Sequence, residues 1–306
     1  MATRIRDLLI GVYASPSTHR LAPARLALPV LATLEPALRQ RRNPVEGIDA
    51  ERLMSDLLQY TPRRDEARAV ARRHLRERSR VRELFWRPWL IKHSRVIGRE
   101  HWDAAHSGGR GCVLVLGHLG GSWAIPAILG RHSFDVHMVS SAHFWRELPP
   151  GLLGRSHRHL REAYGERWLG ADRLIPNDAP PERLVELVEQ GATVGIAFDV
   201  PGSAATPFLG RSVALASGPA SLAFRTKAKV LPVITERHGT RMDLRMLEPL
   251  DAADHRDLRS LRAAIARTYE PLIVERPEMV EIAWYPSPLV TEALTSQAPD
   301  APQVAV

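Results

Sequence analysis

The stretch Cys112-Val-Leu-Val-Leu-Gly-His-Leu-Gly-Gly-Ser-Trp-Ala124 decides the fold class. Cys112 to Leu116 is an unbroken apolar run, the pattern of a strand covered on both faces, and Ser122 to Pro126 then opens a helix. Sheets of that kind gather ligands outside the carboxyl ends of their strands. His118 stands at such an end, and an imidazole with an ordinary pKa near 6.5 suits general-base work at neutral pH. Gly120 and Gly121 let a backbone approach a substrate closely. On the residues alone, His118 is either such a base or a histidine that caps and packs.

Outward from this segment, short apolar runs alternate with helical patterns, the mark of a sheet with crossover helices. Asp135 to Ser140, Thr193 to Phe198 and Val230 to Thr235 read as further strands, and Met242 to Leu247 alternates in the strand manner. Pro181 to Gln190 is a helix with the stripe Leu184, Leu187 and Val188, stopped by Gly191. Gly218 to Thr226 is a second, and Arg256 to Glu270 a third that Pro271 is expected to end.

Before residue 101 the chain reads as helical and basic. A helix runs from an Asp49 cap to Gln59, ended by Pro62, and an arginine-rich one covers Arg64 to Arg80. Pro16, Pro23 and Pro29 are expected to break the segment before them. Leu21 to Leu38 has enough apolar surface to pack on the core or to lie on a membrane. The expected organisation is one α/β domain, a mixed twisted sheet flanked by helices. It divides into a helical N-terminal region over residues 1–100, a core over 101–290 and a disordered tail over 296–306.

Composition narrows the function classes. A single cysteine among 306 residues excludes an internal disulfide framework and a multi-cysteine zinc site, and Cys112 reads as a buried apolar residue. No apolar run approaches the roughly 20 residues of a membrane span, and Asp7 interrupts the apolar run after Met1 to Arg6, so no export signal is expected. The net charge of +8 calls for an anionic partner, whether lipid head groups, cofactor phosphates or nucleic acid, although only three of the 42 basic residues are lysine. No Gly-x-Ser-x-Gly elbow, Walker Gly-Lys-Ser/Thr or Gly-x-Gly-x-x-Gly occurs, which disfavours serine hydrolases and ordinary nucleotide folds. His157-Arg-His159 lacks accompanying acids and reads as a solvated helical face.

His118 to Trp123 resembles the His-x-Gly-Asn-Trp-Glu/Asp signature of the bacterial lipid A biosynthesis acyltransferase family, which includes lauroyl, myristoyl and phosphatidylinositol mannoside acyltransferases within the lysophospholipid acyltransferase superfamily. Thr193 to Asp199, Thr206-Pro-Phe-Leu-Gly-Arg211 and Ala216 to Val233 are similar to further blocks of that family, in order and at comparable spacing. The likeness extends over about residues 35–285. It implies acyl transfer from an acyl-thioester, acyl-coenzyme A or acyl carrier protein, to a hydroxyl or amine, with no metal or other cofactor. The acceptor is expected to be a lipid or small molecule, and the net charge of +8, the Leu21 to Leu38 segment and the Trp86/Trp89 pair lead us to expect a cytoplasmic protein, peripheral and reversible on an anionic inner membrane face.

The family's acid lies five residues after the histidine. Position 123 here is Trp, and Ala124 follows, so the acid is missing in either register. Asp199, which ends the strand Thr193 to Phe198, is the candidate replacement, with loop capping as its structural alternative. Gly120 and Gly121 are candidates for oxyanion donation or substrate clearance. Arg211 and Arg225, carried over from the Gly-Arg and Arg-Thr positions, are candidates for binding donor phosphates or an acidic head group. The departure leaves two other readings open: an aminoacyl or small-acyl transferase acting on an amine, with charged tRNA as a possible donor, and an inactive lipid-binding homologue.

Overall fold

A computed structural model describes residues 16–42, 44–142, 148 and 151–281, with residues 38–42 and 44–47 described by backbone alone. The expected tail and the last residues of the expected core lie outside these.

Cys112 to Leu116 does form the central strand. An eight-stranded mixed sheet runs in the order β1 (Val96–Ile97), β9 (Arg241–Met246), β8 (Lys229–His238), β2 (Val113–Leu116), β5 (Thr193–Ala197), β3 (Val136–Ser140), β4 (Leu174–Pro176), with β10 (Leu250–Asp251) also paired to β8. β8, β2, β5, β3 and β4 are mutually parallel, whereas β9 and β10 run antiparallel to β8. A separate antiparallel hairpin, β6 (Pro201–Phe208) and β7 (Arg211–Leu215), follows β5. That hairpin and β4 carry no strand signal in the sequence, since both are short on apolar alternation.

The two-residue period of the pleat divides the core. Val113, Val115, Val194, Ile196 and Val230 join one buried cluster, and Cys112, Leu114, Leu116, Val136, Leu231 and Val233 join the other across the sheet. Cys112 is fully buried, and burial pushes its thiol up to about 12, so it is the inert apolar residue its setting implied.

Among the helices, α1 (Ala24–Arg42), α2 (Pro44–Leu58) and α3 (Ala67–Phe85) form the N-terminal layer, with α1 and α2 both against α3. Three expectations need correction here. Pro29 does not break the segment: α1 continues through Pro29 and Pro36, held by burial of Leu28 and Ala32. α2 begins at Pro44 rather than at an Asp49 cap, since proline at the first helical position has no N–H to leave orphaned. Arg64 to Glu66 forms a separate 3₁₀ turn before α3.

The core helices are α4 (Arg99–His106), α5 (Ile125–Arg131), α6 (Gly151–His159), α7 (Pro181–Glu189), α8 (Gly218–Thr226) and α9 (Leu258–Glu275). Pro271 does not end α9, which continues to Glu275 with Ile273 buried. His159 is not on a solvated face either. It is buried, its Nε2 lies 2.8 Å from the Phe85 carbonyl oxygen, and it stacks 4.7 Å from Trp86.

Candidate functional site

β2 and β5 are neighbours with Leu116 opposite Ala197. Two residues further on each chain stand His118 and Asp199, so the parallel register itself delivers them side by side at the carboxyl edge. Asp199 Oδ1 lies 2.7 Å from His118 Nδ1, and Asp199 Oδ2 accepts the His118 backbone N–H at 2.6 Å. Both carboxylate oxygens therefore hold the same residue. The intervening Gly117 has to lack a side chain: a Cβ there would meet the Phe198 ring at 2.9 Å and Asp199 Oδ2 at 3.5 Å.

The pair is nearly dry, with side-chain exposures of 18% for His118 and 4% for Asp199. Burial disfavours the imidazolium, but the charge and hydrogen bond of Asp199, with the charge of Glu281 beside them, outweigh it and raise the His118 pKa above its ordinary value. With Nδ1 committed to the carboxylate, the tautomer is set and the basic nitrogen is Nε2.

The loop after His118 is pinned from the far end of the chain. Gly120 N–H donates to the Met279 carbonyl at 2.8 Å, Leu119 bridges Val280, and the Thr235 hydroxyl donates to the Leu119 carbonyl at 3.0 Å. Glu281 N–H donates to the His118 carbonyl at 3.0 Å, and Glu281 Oε1 accepts from the Gly121 and Ser122 N–H groups at 3.1 and 3.2 Å. Gly120 and Gly121 take φ values of +62° and +96°, a left-handed backbone open to glycine at little cost. A Cβ on Gly120 would come within 2.2 Å of Met279 Cε and 2.8 Å of the Thr235 carbonyl oxygen. Both glycine amides thus donate within the chain, Gly120 to Met279 and Gly121 to Glu281.

Trp123, at the position of the motif acid, turns into an aromatic cluster with Phe85 at 5.4 Å and Tyr164 at 4.6 Å, while Ala124 is fully buried. The carboxylate on His118 comes from another strand.

The sequence pattern of the bacterial lipid A biosynthesis acyltransferase family matches residues 66–280, well over half of the chain. The chain belongs to that family and is an acyltransferase. The chain is also similar to the crystal structure of the 1-acyl-sn-glycerophosphate (LPA) acyltransferase PlsC from Thermotoga maritima, at 13% identity and a TM-score of 0.34, over 78% of this chain and 97% of that one. No curated protein matches it.

The two candidate arginines of this acyltransferase part company. Arg211 pairs across the hairpin with Phe208, whose ring lies 5.9 Å from Phe198, the residue before Asp199. The tip of the hairpin packs against α9, where Glu270 Oε1 accepts from the Leu209 N–H at 2.8 Å, and Arg211 Nε and Nη2 are shielded from solvent without a hydrogen-bond partner among the described residues. Arg225 sits elsewhere. It lies in the last turn of α8, where the following Thr226 carbonyl accepts from Arg110, just before β2, at 3.0 Å. That is the amino edge of the parallel strands, opposite to His118, and Arg225 is an exposed residue 3.8 Å from Glu182. It is not brought to the site. Glu281 is the site residue that no sequence motif flags: it lies 163 positions from His118 by number, and no local spacing points to it.

Proposed function

We propose that this acyltransferase moves an acyl group from an acyl-thioester, acyl-coenzyme A or acyl carrier protein, to a hydroxyl or amine acceptor, with His118 as general base and Asp199 as the carboxylate that orients it. The observation that carries this reading is the 2.7 Å contact between His118 Nδ1 and Asp199 Oδ1 at the carboxyl edge of adjacent parallel strands. Nε2 takes the acceptor's proton as the acceptor atom bonds to the thioester carbonyl carbon. Collapse of the tetrahedral intermediate breaks the C–S bond, and the departing thiolate recovers the proton from the imidazolium. Asp199 orients the ring and stabilises the imidazolium. The acyl-thioester is a co-substrate, and the reading needs no resident metal or redox group.

Arg211 is the candidate for an anionic group, either phosphates of the donor or an acidic head group, because a shielded guanidinium gains most from a bidentate oxyanion. The amine-directed alternative with charged tRNA, and the inactive homologue, both draw their motive from a missing acid, a motive that Asp199 removes. A lipid acceptor met on an anionic inner membrane face is supported by the apolar stripe Leu26, Val30 and Leu34, spaced four residues apart on α1 and exposed, with Leu21 beside it in sequence.

The test is donor consumption with lauroyl- or palmitoyl-coenzyme A against charged tRNA, for the wild type and His118→Ala. Transfer from the acyl-thioester should fall by about 10²- to 10⁴-fold in the variant, with the fold retained as judged by circular dichroism. A variant that keeps more than half of wild-type turnover removes His118 from the mechanism.

A further inference from the structure

The site contains a second carboxylate that the transfer chemistry leaves idle. Glu281 lies one residue beyond the segment that the family pattern matches, yet it touches the His118 loop at four points: its N–H donates to the His118 carbonyl, and Oε1 accepts from the Gly121 N–H, the Ser122 N–H and the Ser122 hydroxyl, the last at 3.3 Å. With Met279 and Val280 it lies along residues 118–122 as an added strand would. The peptide units it grips immediately precede positions 123 and 124, where the motif acid is absent and Trp123 and Ala124 point into packed surroundings.

We infer that Glu281 is a positioning residue for acyl transfer: its carboxylate locks the 120–122 loop so that the His118 ring keeps its alignment on Asp199, and its charge adds to that of Asp199 in stabilising the imidazolium. The inference rests on the reading of His118 as the base. Two chemical reasons support it. A carboxylate that accepts three hydrogen bonds from consecutive loop groups orders a glycine pair that would otherwise sample many backbone states. A negative charge close to a poorly solvated ring also acts on it with little screening.

Among the described residues, the charged groups acting on the ring are Asp199, from the end of β5, and Glu281, from the C-terminal segment. Tyr269, from α9, lies between β2 and β8 with its hydroxyl on the Val115 carbonyl at 2.6 Å, and burial keeps it un-ionised. Of the two charges only Glu281 can be neutralised without touching the ring's direct partner.

Glu281→Gln keeps an oxygen acceptor for the loop amides and removes the charge, whereas Glu281→Ala removes both. The His118 ring is followed by NMR titration, its signal assigned by its loss in His118→Ala, and thiol release from palmitoyl-coenzyme A is followed against pH. In Glu281→Gln the titration midpoint should move to lower pH, the acid limb of the rate profile should move with it, and the plateau should fall about tenfold, since a weaker base gains less in the transition state. In Glu281→Ala kcat should fall by about 100-fold at nearly unchanged KM, the scale of a misplaced catalytic group.

A His118 midpoint in Glu281→Gln that coincides with the wild type overturns the electrostatic role, and Glu281→Ala turnover within twofold of wild type overturns the positioning role. Retained turnover in His118→Ala would instead defeat the base reading. The ring titration needs no donor, so it decides the electrostatic role of Glu281 whether or not palmitoyl-coenzyme A is turned over.

Discussion

At His118 the proposed chemistry rests on a partner 81 residues along the chain, held by two bonds to one carboxylate. Asp199→Asn preserves the shape but cannot stabilise an imidazolium, and an amide that donates to Nδ1 would select the wrong tautomer. Turnover should therefore fall by about 10²- to 10⁴-fold. The effect on stability depends on pH. Because Asp199 helps to raise the folded-state pKa of His118, the pair's contribution is fully present below the unfolded value near 6.5 and is lost as pH rises through the higher folded value. Urea unfolding should show the gap between wild type and Asp199→Asn widest in mildly acidic buffer and narrowing at the alkaline end. A gap that grows with pH would contradict the pairing.

At the scale of elements, α3 ties the C-terminal segment to the site. His74 on α3 is buried, and its Nδ1 lies 3.0 Å from the Glu278 carbonyl oxygen, three residues before Glu281. Arg237 on β8 closes a two-pronged contact with Glu77 of the same helix at 2.5 and 2.7 Å. Desolvation drives the His74 pKa down to about 4, so the folded ring is neutral at ordinary pH. Below about pH 6.5 the unfolded chain takes up a proton that the folded one refuses, and stability falls until pH 4, by about 3 kcal/mol across the window. His74→Asn keeps an N–H for the Glu278 carbonyl and cannot titrate. Its unfolding free energy should fall less steeply than that of wild type between pH 6.5 and 4, and parallel slopes would show that His74 does not carry the acid sensitivity.

For the whole molecule the question is how a chain of net charge +8 meets a lipid. Among the described residues no helix is long and apolar enough to cross a membrane. α1 instead presents two faces, with Leu28 and Ala32 buried and Leu26, Val30 and Leu34 exposed, so one helix both packs and offers an apolar stripe. Trp86 does not serve as an interfacial anchor, since it is buried among Phe85, His19 and His159, whereas the half-buried Trp89, under the Arg20 guanidinium at 4.9 Å, lies nearer the surface. A short apolar stripe plus basic charge binds reversibly and weakens with salt. Flotation with anionic vesicles should recover the protein at low salt and lose it at high salt, and replacing Leu26, Val30 and Leu34 by serine should abolish recovery. Absence of binding in both salts would point to a soluble acceptor.

The sequence by itself determined the features that live in a short window. Cys112 to Leu116 declared a doubly covered strand, Leu184, Leu187 and Val188 declared a helix, and the break after Leu116 placed His118 at a strand end, because apolar periodicity and turn chemistry act over a few residues. The tertiary structure alone decided everything that depends on adjacency. Whether Asp199 meets His118 depends on β2 and β5 being neighbours in a given register, and whether Glu281 reaches the loop depends on residues 279–281 closing against 118–122. It also decided that Pro29 and Pro271 remain inside helices, that His159 is buried, and that Arg225 lies at the wrong edge of the sheet. Those outcomes arise from burying side chains far apart in the chain against one another, a balance of packing against local preference that no local pattern contains.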